Sequence, residues 1–259
     1  MYLSPCRGWP DSSILEASFD NVTFSYPGST APAVDGLTLH IRPGELIALV
    51  GENGAGKSTL VKSLLRFYDA NKGSVRVGGV DLREMDLEAL RNHIGVLFQD
   101  YANYELTVRE NVVMGRPSVP ADDERVMKAL RDSRSEWLVR KMPNGLDSRV
   151  GRLFEGGHDL SGGEWLALGR VMYRDADLWI EPTSSLDPEA DSAIFAELKA
   201  ILKGRIGIVI SHRFSTVRIA DRIAVIVDGR VTELGTHGQL LAAAGRYAQL
   251  FELQAAGYR

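Results

Sequence analysis

Leu46-Ile47-Ala48-Leu49-Val50 runs directly into Gly51-Glu52-Asn53-Gly54-Ala55-Gly56-Lys57-Ser58-Thr59, and that junction decides the fold. The five apolar residues suit a strand buried on both faces at the centre of a sheet. Residues 51–58 fit G-x-x-x-x-G-K-[ST], the phosphate-binding loop, and sit between a strand and a helical pattern as that loop requires. Its glycines let backbone N–H groups turn inward around phosphates, and the helix start adds the positive end of its dipole. Lys57 supplies a full charge near the β- and γ-phosphates, and the Ser58 hydroxyl is a hard oxygen suited to Mg²⁺. Gly51 through Thr59 are therefore candidate nucleotide contacts. The bland alternative is a glycine turn capping a helix, but from average composition the full pattern arises by chance in roughly one chain in a hundred of this length.

Outward from the loop, Ala17–Phe24 and Leu37–Ile41 alternate as half-buried strands, and Glu45–Val50 is the central run. Further short strands are expected at Ser74–Val77, Ile94–Phe98, Leu178–Ile180, Ile206–Ile210 and Arg222–Val227. Helical patterns occupy Lys57–Phe67, Ala121–Arg131, Glu189–Leu202 and Gly238–Gln254. Strands alternating with helices predict an α/β fold, a P-loop NTPase with a mainly parallel core sheet. Residues from about 100 to 160 carry helical signals and few strand runs, so a helical insertion is expected there. Residues 1–16, with Pro5, Gly8 and Pro10, read as an N-terminal linker lacking the apolar stretch of a signal peptide.

At 259 residues the chain can bury one large α/β domain. A net charge of −4, with 30 basic and 34 acidic side chains interspersed, argues against a nucleic-acid partner held on a broad basic face. The single cysteine, Cys6, cannot form an internal disulfide and suits a reducing cytosol. No run approaches the ~20 apolar residues that span a bilayer, so any membrane contact is expected through a partner or a missing segment.

The second motif is Leu160-Ser161-Gly162-Gly163-Glu164 at the start of a helical stretch. Alone it reads as a serine-capped helix. About a hundred residues after a P-loop it closely resembles the signature of the ATP-binding cassette family, which usually ends in Gln. The resemblance runs in order from about Ala17 to Arg259 and implies an antiparallel β subdomain beside the mainly parallel core sheet and the inserted helical subdomain. It implies that Ser161, Gly162 and Gly163 close over the γ-phosphate of ATP on a partner's P-loop. It also implies that Tyr26, in Phe24-Ser25-Tyr26-Pro27, stacks on adenine, and that Gln99 contacts Mg²⁺ and senses the membrane partner. On the same resemblance Asp187, in Ser185-Leu186-Asp187, lies in the loop crossing the dimer interface, and His212 is the switch residue at the γ-phosphate. Taken singly, Tyr26 also suits turn packing, Gln99 a solvated strand end, Asp187 a helix N-cap before Pro188, and His212 a surface position. Val150-Gly151 and Gly235-Thr236-His237 look most like exporter-type members.

Two places depart from the family pattern. Its Walker B segment has four apolar residues, then Asp, Glu and Pro, whereas this chain reads Asp177-Leu178-Trp179-Ile180-Glu181-Pro182. Aligned on Glu181-Pro182, Ile180 stands where the Mg²⁺-linked Asp belongs. Asp177 is four residues back on an extended strand, roughly 13 Å away. After Trp165 a polar pair is also missing, which would rotate the rest of that helix by roughly 200°; Trp165, Leu168 and Met172 still keep an i, i+3, i+7 stripe.

The implied activity is an ATP-hydrolysing transporter motor using ATP and Mg²⁺, with Lys57, Glu181 and His212 as catalytic candidates and Ser58 and Gln99 on the metal. The implied partners are a second cassette, joined head to tail under ATP, and a transmembrane domain that would hold the chain at the cytoplasmic face of a membrane. A soluble cassette ATPase is one alternative. A nucleotide-binding but catalytically weak cassette is another, motivated by the single Walker B carboxylate.

Overall fold

Alternation of apolar and polar side chains builds the first sheet of this computed structural model, which describes residues 7–10, 15–97, 104–151, 163–182, 204–211 and 214–257. Strand β1 (Ala17–Phe24) buries Ala17, Phe19, Val22 and Phe24, and β2 (Val34–Ile41) buries Val34, Leu37, Leu39 and Ile41. They pair antiparallel, and the irregularity between Phe19 and Val22 coincides with Asn21 at φ 50°. Strands β4 (Lys72–Val77) and β5 (Val80–Asp81) complete a four-stranded antiparallel sheet in the order β2-β1-β4-β5.

Strand β3 (Leu46–Val50) is buried at every position, as a central strand requires. It pairs in parallel with β8 (Ile206–Ile210) and with β9 (Arg222–Val227). Strand β7 (Leu178–Pro182) pairs in parallel with β8, and β10 (Arg230–Gly235) returns antiparallel on β9. With β6 (Ile94–Val96) the order is β10-β9-β3-β8-β7-β6, a mainly parallel sheet. Behind β3 and β9 the core joins Ala48, Val50, Ile223 and Val225 to Val217, Leu240 and Tyr247.

Strand β10 has no counterpart among the strands expected from the sequence. Its Arg230-Val231-Thr232-Glu233 face is polar and partly exposed, so no apolar run marks it. The usable signal was Asp228-Gly229, both at positive φ, the turn that a two-residue hairpin favours. Helix α1 (Lys57–Leu64) ends three residues before the expected Phe67, because Arg66 turns to φ 50°. The helix expected over Gly238–Gln254 is two. The chain breaks at Ala244, φ 51°, between the helices His237–Ala242 and Arg246–Gly257. Glu233 of β10 restarts the second one, accepting hydrogen bonds from the Arg246 and Tyr247 backbone N–H groups. The pattern expected at Glu189–Leu202 lies outside the described residues.

Contacts divide the chain into one unit made of residues 1–94 and 177–259 and another spanning Gly95–Ala176. The second unit is helical, with α3 (Val108–Val113), α4 (Asp123–Asp132), α5 (Glu136–Lys141) and α6 (Gly163–Arg174); α2 (Leu87–Asn92) belongs to the first. Helix α6 packs on α3 and α4, where Gly169 admits Val112, Leu130 and Ser133. Leu168 and Met172 of the expected stripe are buried, but so are Leu166, Ala167, Val171 and Tyr173. The helix is apolar almost all round, the pattern of an element enclosed by its neighbours.

Candidate nucleotide site

The phosphate loop leaves β3 at Val50, at the carboxyl end of the parallel strands, where open α/β sheets place ligands. Its shape depends on close backbone approach. Gly56 takes φ 106°, and a Cβ there would lie 2.5 Å from the Ala33 carbonyl oxygen. The turn after β9 braces the other side, with Gly229 N–H donating to the Ala55 carbonyl at 3.0 Å. The loop is thus pinned between the Ala33 segment and the β9–β10 hairpin before α1 begins.

Lys57, the first residue of α1, is buried, 6% exposed. Its ammonium donates to the Gly51 carbonyl at 2.6 Å and the Glu52 carbonyl at 2.7 Å, so it lies across the loop rather than out in solvent. An ammonium has three protons, which leaves one for a phosphate oxygen. Burial lowers its pKa from the usual lysine value. Ser58 is exposed, leaving its hydroxyl open to a metal or phosphate. Among the described residues no cluster of His, Cys, Asp and Glu could hold a metal by itself. A Mg²⁺ here would rest on Ser58 together with phosphate oxygens, which suits a hard cation that keeps few protein ligands.

Thr59 is buried, and its hydroxyl meets the Tyr26 hydroxyl at 3.1 Å. Tyr26 packs edge-on to Phe24 and to Tyr68, at 5.0 and 5.3 Å between centroids, with the Lys62 ammonium 5.6 Å from its ring. The structure therefore brings Tyr26 to the same helix that carries Lys57 and Ser58. Tyr68, 37% exposed, extends this aromatic group and had no sequence signal of its own.

Of the remaining candidates, Gln99, Ser161, Gly162, Asp187 and His212 lie outside the described residues. Gly163 opens α6. The Glu181 backbone belongs to β7 and pairs opposite Val209, while its side chain lies outside what the structure describes. Val209 also pairs with Ala48. Glu181 is thus level with Ala48, three residues before the phosphate loop starts. Ile180, one step back, is 1% exposed and opposite Ile208. Asp177 is at the far end of the strand. Its carboxylate is 2.7 Å from His93 Nδ1, and its N–H donates to the His93 carbonyl, while Trp9 stacks on the imidazole at 4.8 Å.

One residue at the loop was not foreseen. Arg246, first in the helix Arg246–Gly257, places Nη2 against Glu52 Oε1, and both line a cavity of about 190 Å³ beside the loop together with Asn53, Asp228 and Leu250. No spacing rule links residues 194 apart.

Comparison with known proteins bears on the same residues. Residues 34–184, more than half of the chain, match the family model described as ABC transporter. The chain is 40% identical over 248 residues to the ATP-dependent lipid A-core flippase of Salmonella typhimurium (strain LT2), covering 94% of this chain and 42% of that protein. The flippase of Escherichia coli (strain K12) is 40% identical over 243 residues, and that of Thiobacillus denitrificans 39% over 242, each with about two fifths of its length covered. Among solved structures, a bacterial Atm1-family ABC exporter with ATP bound superposes with a TM-score of 0.86 at 32% identity, covering 97% of this chain and 44% of that one. Phosphate loop, sheet order and similarity agree: this chain belongs to the ABC transporter family and has the P-loop NTPase fold of its ATPase domain.

Proposed function

We propose that this domain binds ATP·Mg²⁺ and serves as the motor of an exporter-type ABC transporter, working with a second cassette and a transmembrane domain at the cytoplasmic face of a membrane. The observation that carries the reading is Lys57, buried and laid across the Gly51 and Glu52 carbonyls with an accessible Ser58 beside it. Tyr26 is assigned to the adenine and the Gly51–Thr59 backbone to the phosphates. Gln99, Ser161, Gly162, Gly163, Asp187 and His212 keep the roles that the family resemblance gives them. Mg²⁺ on Ser58 supplies neutralisation of phosphate charge, and phosphoryl transfer depends on such neutralisation and on positioning. The chain spans about two fifths of the length of the curated flippases it matches, and none of its described helices is long and apolar enough to cross a membrane. A membrane partner, whether fused or separate, supplies the path for cargo.

The test is binding of a fluorescent ATP analogue with Mg²⁺. Lys57→Ala removes the point charge on the β- and γ-phosphates and is expected to abolish or greatly weaken binding; unchanged affinity refutes the assignment. Sedimentation with a non-hydrolysable analogue tests the paired cassette. Ser161→Arg is expected to block an ATP-dependent dimer, and a wild type that stays monomeric with nucleotide and every candidate partner removes the motor reading.

A second reading, a cassette that binds ATP but turns it over feebly, is favoured by β7. On the motif alignment through Glu181-Pro182, Ile180 takes the place of the Mg²⁺-linked Asp; it is buried, Asp177 is engaged with His93, and Glu181 is level with Ala48 rather than with the loop.

A further inference from the structure

The phosphate loop contains a contradiction in charge: Glu52 puts a carboxylate inside a loop that is to hold a polyphosphate. Its side chain is 66% exposed. The fold answers from the other end of the chain. Glu233 on β10 caps the helix Arg246–Gly257 by accepting from the Arg246 and Tyr247 N–H groups. Gly245 makes room, since a Cβ there would overlap the Glu233 carboxylate. This fixes the first residue of the helix beside the loop, where Arg246 Nη2 donates to Glu52 Oε1 and Nη1 donates to Gln249 Oε1 at 3.1 Å.

We infer that Arg246 is a positioning residue for nucleotide binding, neutralising Glu52 so that an acidic phosphate loop can accept the ATP polyphosphate. The inference rests on the ATP-binding reading above and deepens it. As a stabilising contact the pair counts for little, because both groups are substantially exposed, Arg246 by 40%. Its weight lies in what happens when it is broken. A free carboxylate carried by the loop repels the phosphates, and at separations below a Debye length that repulsion is only partly screened.

The experiment is a double-mutant cycle on analogue affinity, measured at low and high ionic strength. Arg246→Ala alone is expected to weaken binding on the order of threefold to tenfold at low salt, with a smaller loss at high salt. Glu52→Gln alone keeps the loop backbone assigned to the phosphates and removes only the repulsive charge, so it is expected to bind more tightly than wild type. In the Glu52→Gln background, Arg246→Ala should cost nothing, because no carboxylate is left to neutralise. Arg246→Lys, which keeps the charge and the cap, should retain wild-type affinity. An unchanged Arg246→Ala affinity, or the same loss with and without Glu52, overturns the inference. So does a loss in Arg246→Lys equal to that in Arg246→Ala, which would assign the effect to packing. Failure of the underlying reading is separable: wild type would then show no binding sensitive to Lys57→Ala.

Discussion

Replacing Gly56 by Ala tests the geometry of the phosphate loop through a single methyl group. The added Cβ would lie 2.5 Å from the Ala33 carbonyl oxygen, where ordinary contact begins at 3.4 Å, so one side must yield by about 0.9 Å. The backbone also sits at φ 106°, a conformation that costs an L-residue roughly 1–2 kcal/mol. Overpacking adds about 1–3 kcal/mol, for a total destabilisation of about 2–5 kcal/mol. The functional effect follows from what comes next in the chain: Gly56 precedes Lys57 and Ser58, and a displacement of about 1 Å at such a site can cost ~10²-fold in rate. Gly54→Ala is the control, with φ 84° and nothing within 4 Å of its Cβ, so it carries the backbone strain without the collision. Chemical denaturation and analogue binding are measured on both variants. Gly56→Ala should lose more stability than Gly54→Ala by the overpacking contribution, about 1–3 kcal/mol, and should bind the analogue more weakly than wild type. Equal stability of the two variants, or wild-type affinity in Gly56→Ala, would refute the claim that Ala33 pins the loop.

Acid stability should report on Glu45, which is 6% exposed and accepts hydrogen bonds from Arg222 and from the Arg42 N–H. Burial alone would raise its pKa, but the Arg222 and Arg42 hydrogen bonds and charges outweigh it and hold the pKa below 4.5. The stabilisation is therefore complete above pH 4.5 and lost as pH falls through the lower folded value. Glu45→Gln should cost about 3 kcal/mol near neutrality and flatten that acid limb; a denaturation profile that keeps its acid dependence in the variant contradicts the assignment. On the second reading, with Ile180 in place of a metal-orienting Asp, ATP turnover by the wild type should be feeble while binding persists, since losing a group that orients a metal commonly costs about 10- to 100-fold. Inserting Leu-Asp between Ile180 and Glu181 should restore it, with the polar pair after Trp165 restored as well if α6 is also misregistered. Brisk wild-type turnover abolished by Glu181→Gln would show instead that the short strand still delivers its carboxylate.

Short-range patterns were legible because the physics behind them is local. A five-residue apolar run meeting G-x-x-x-x-G-K-S required a buried strand, a glycine turn and a helix, and β3, the loop and α1 follow that order. Ile206–Ile210 and Arg222–Val227 were readable to the residue, since strands buried on both faces are written as continuous apolar runs. Family membership was legible for the same reason, from motifs in fixed order. Tertiary structure decided what depends on residues far apart in the chain. The C-terminal helical pattern splits at Ala244 because Glu233, carried on an edge strand without an apolar signature, recaps the chain at Arg246. Asp177, just before β7, is paired with His93, 84 residues earlier. Arg246 reaches Glu52 across 194 residues, through a cap, a hairpin and a glycine that leave no periodicity to read. Local sequence determines what each segment can become; which charge finally stands beside the phosphate loop is settled only when the folded sheet brings the two ends of the chain together.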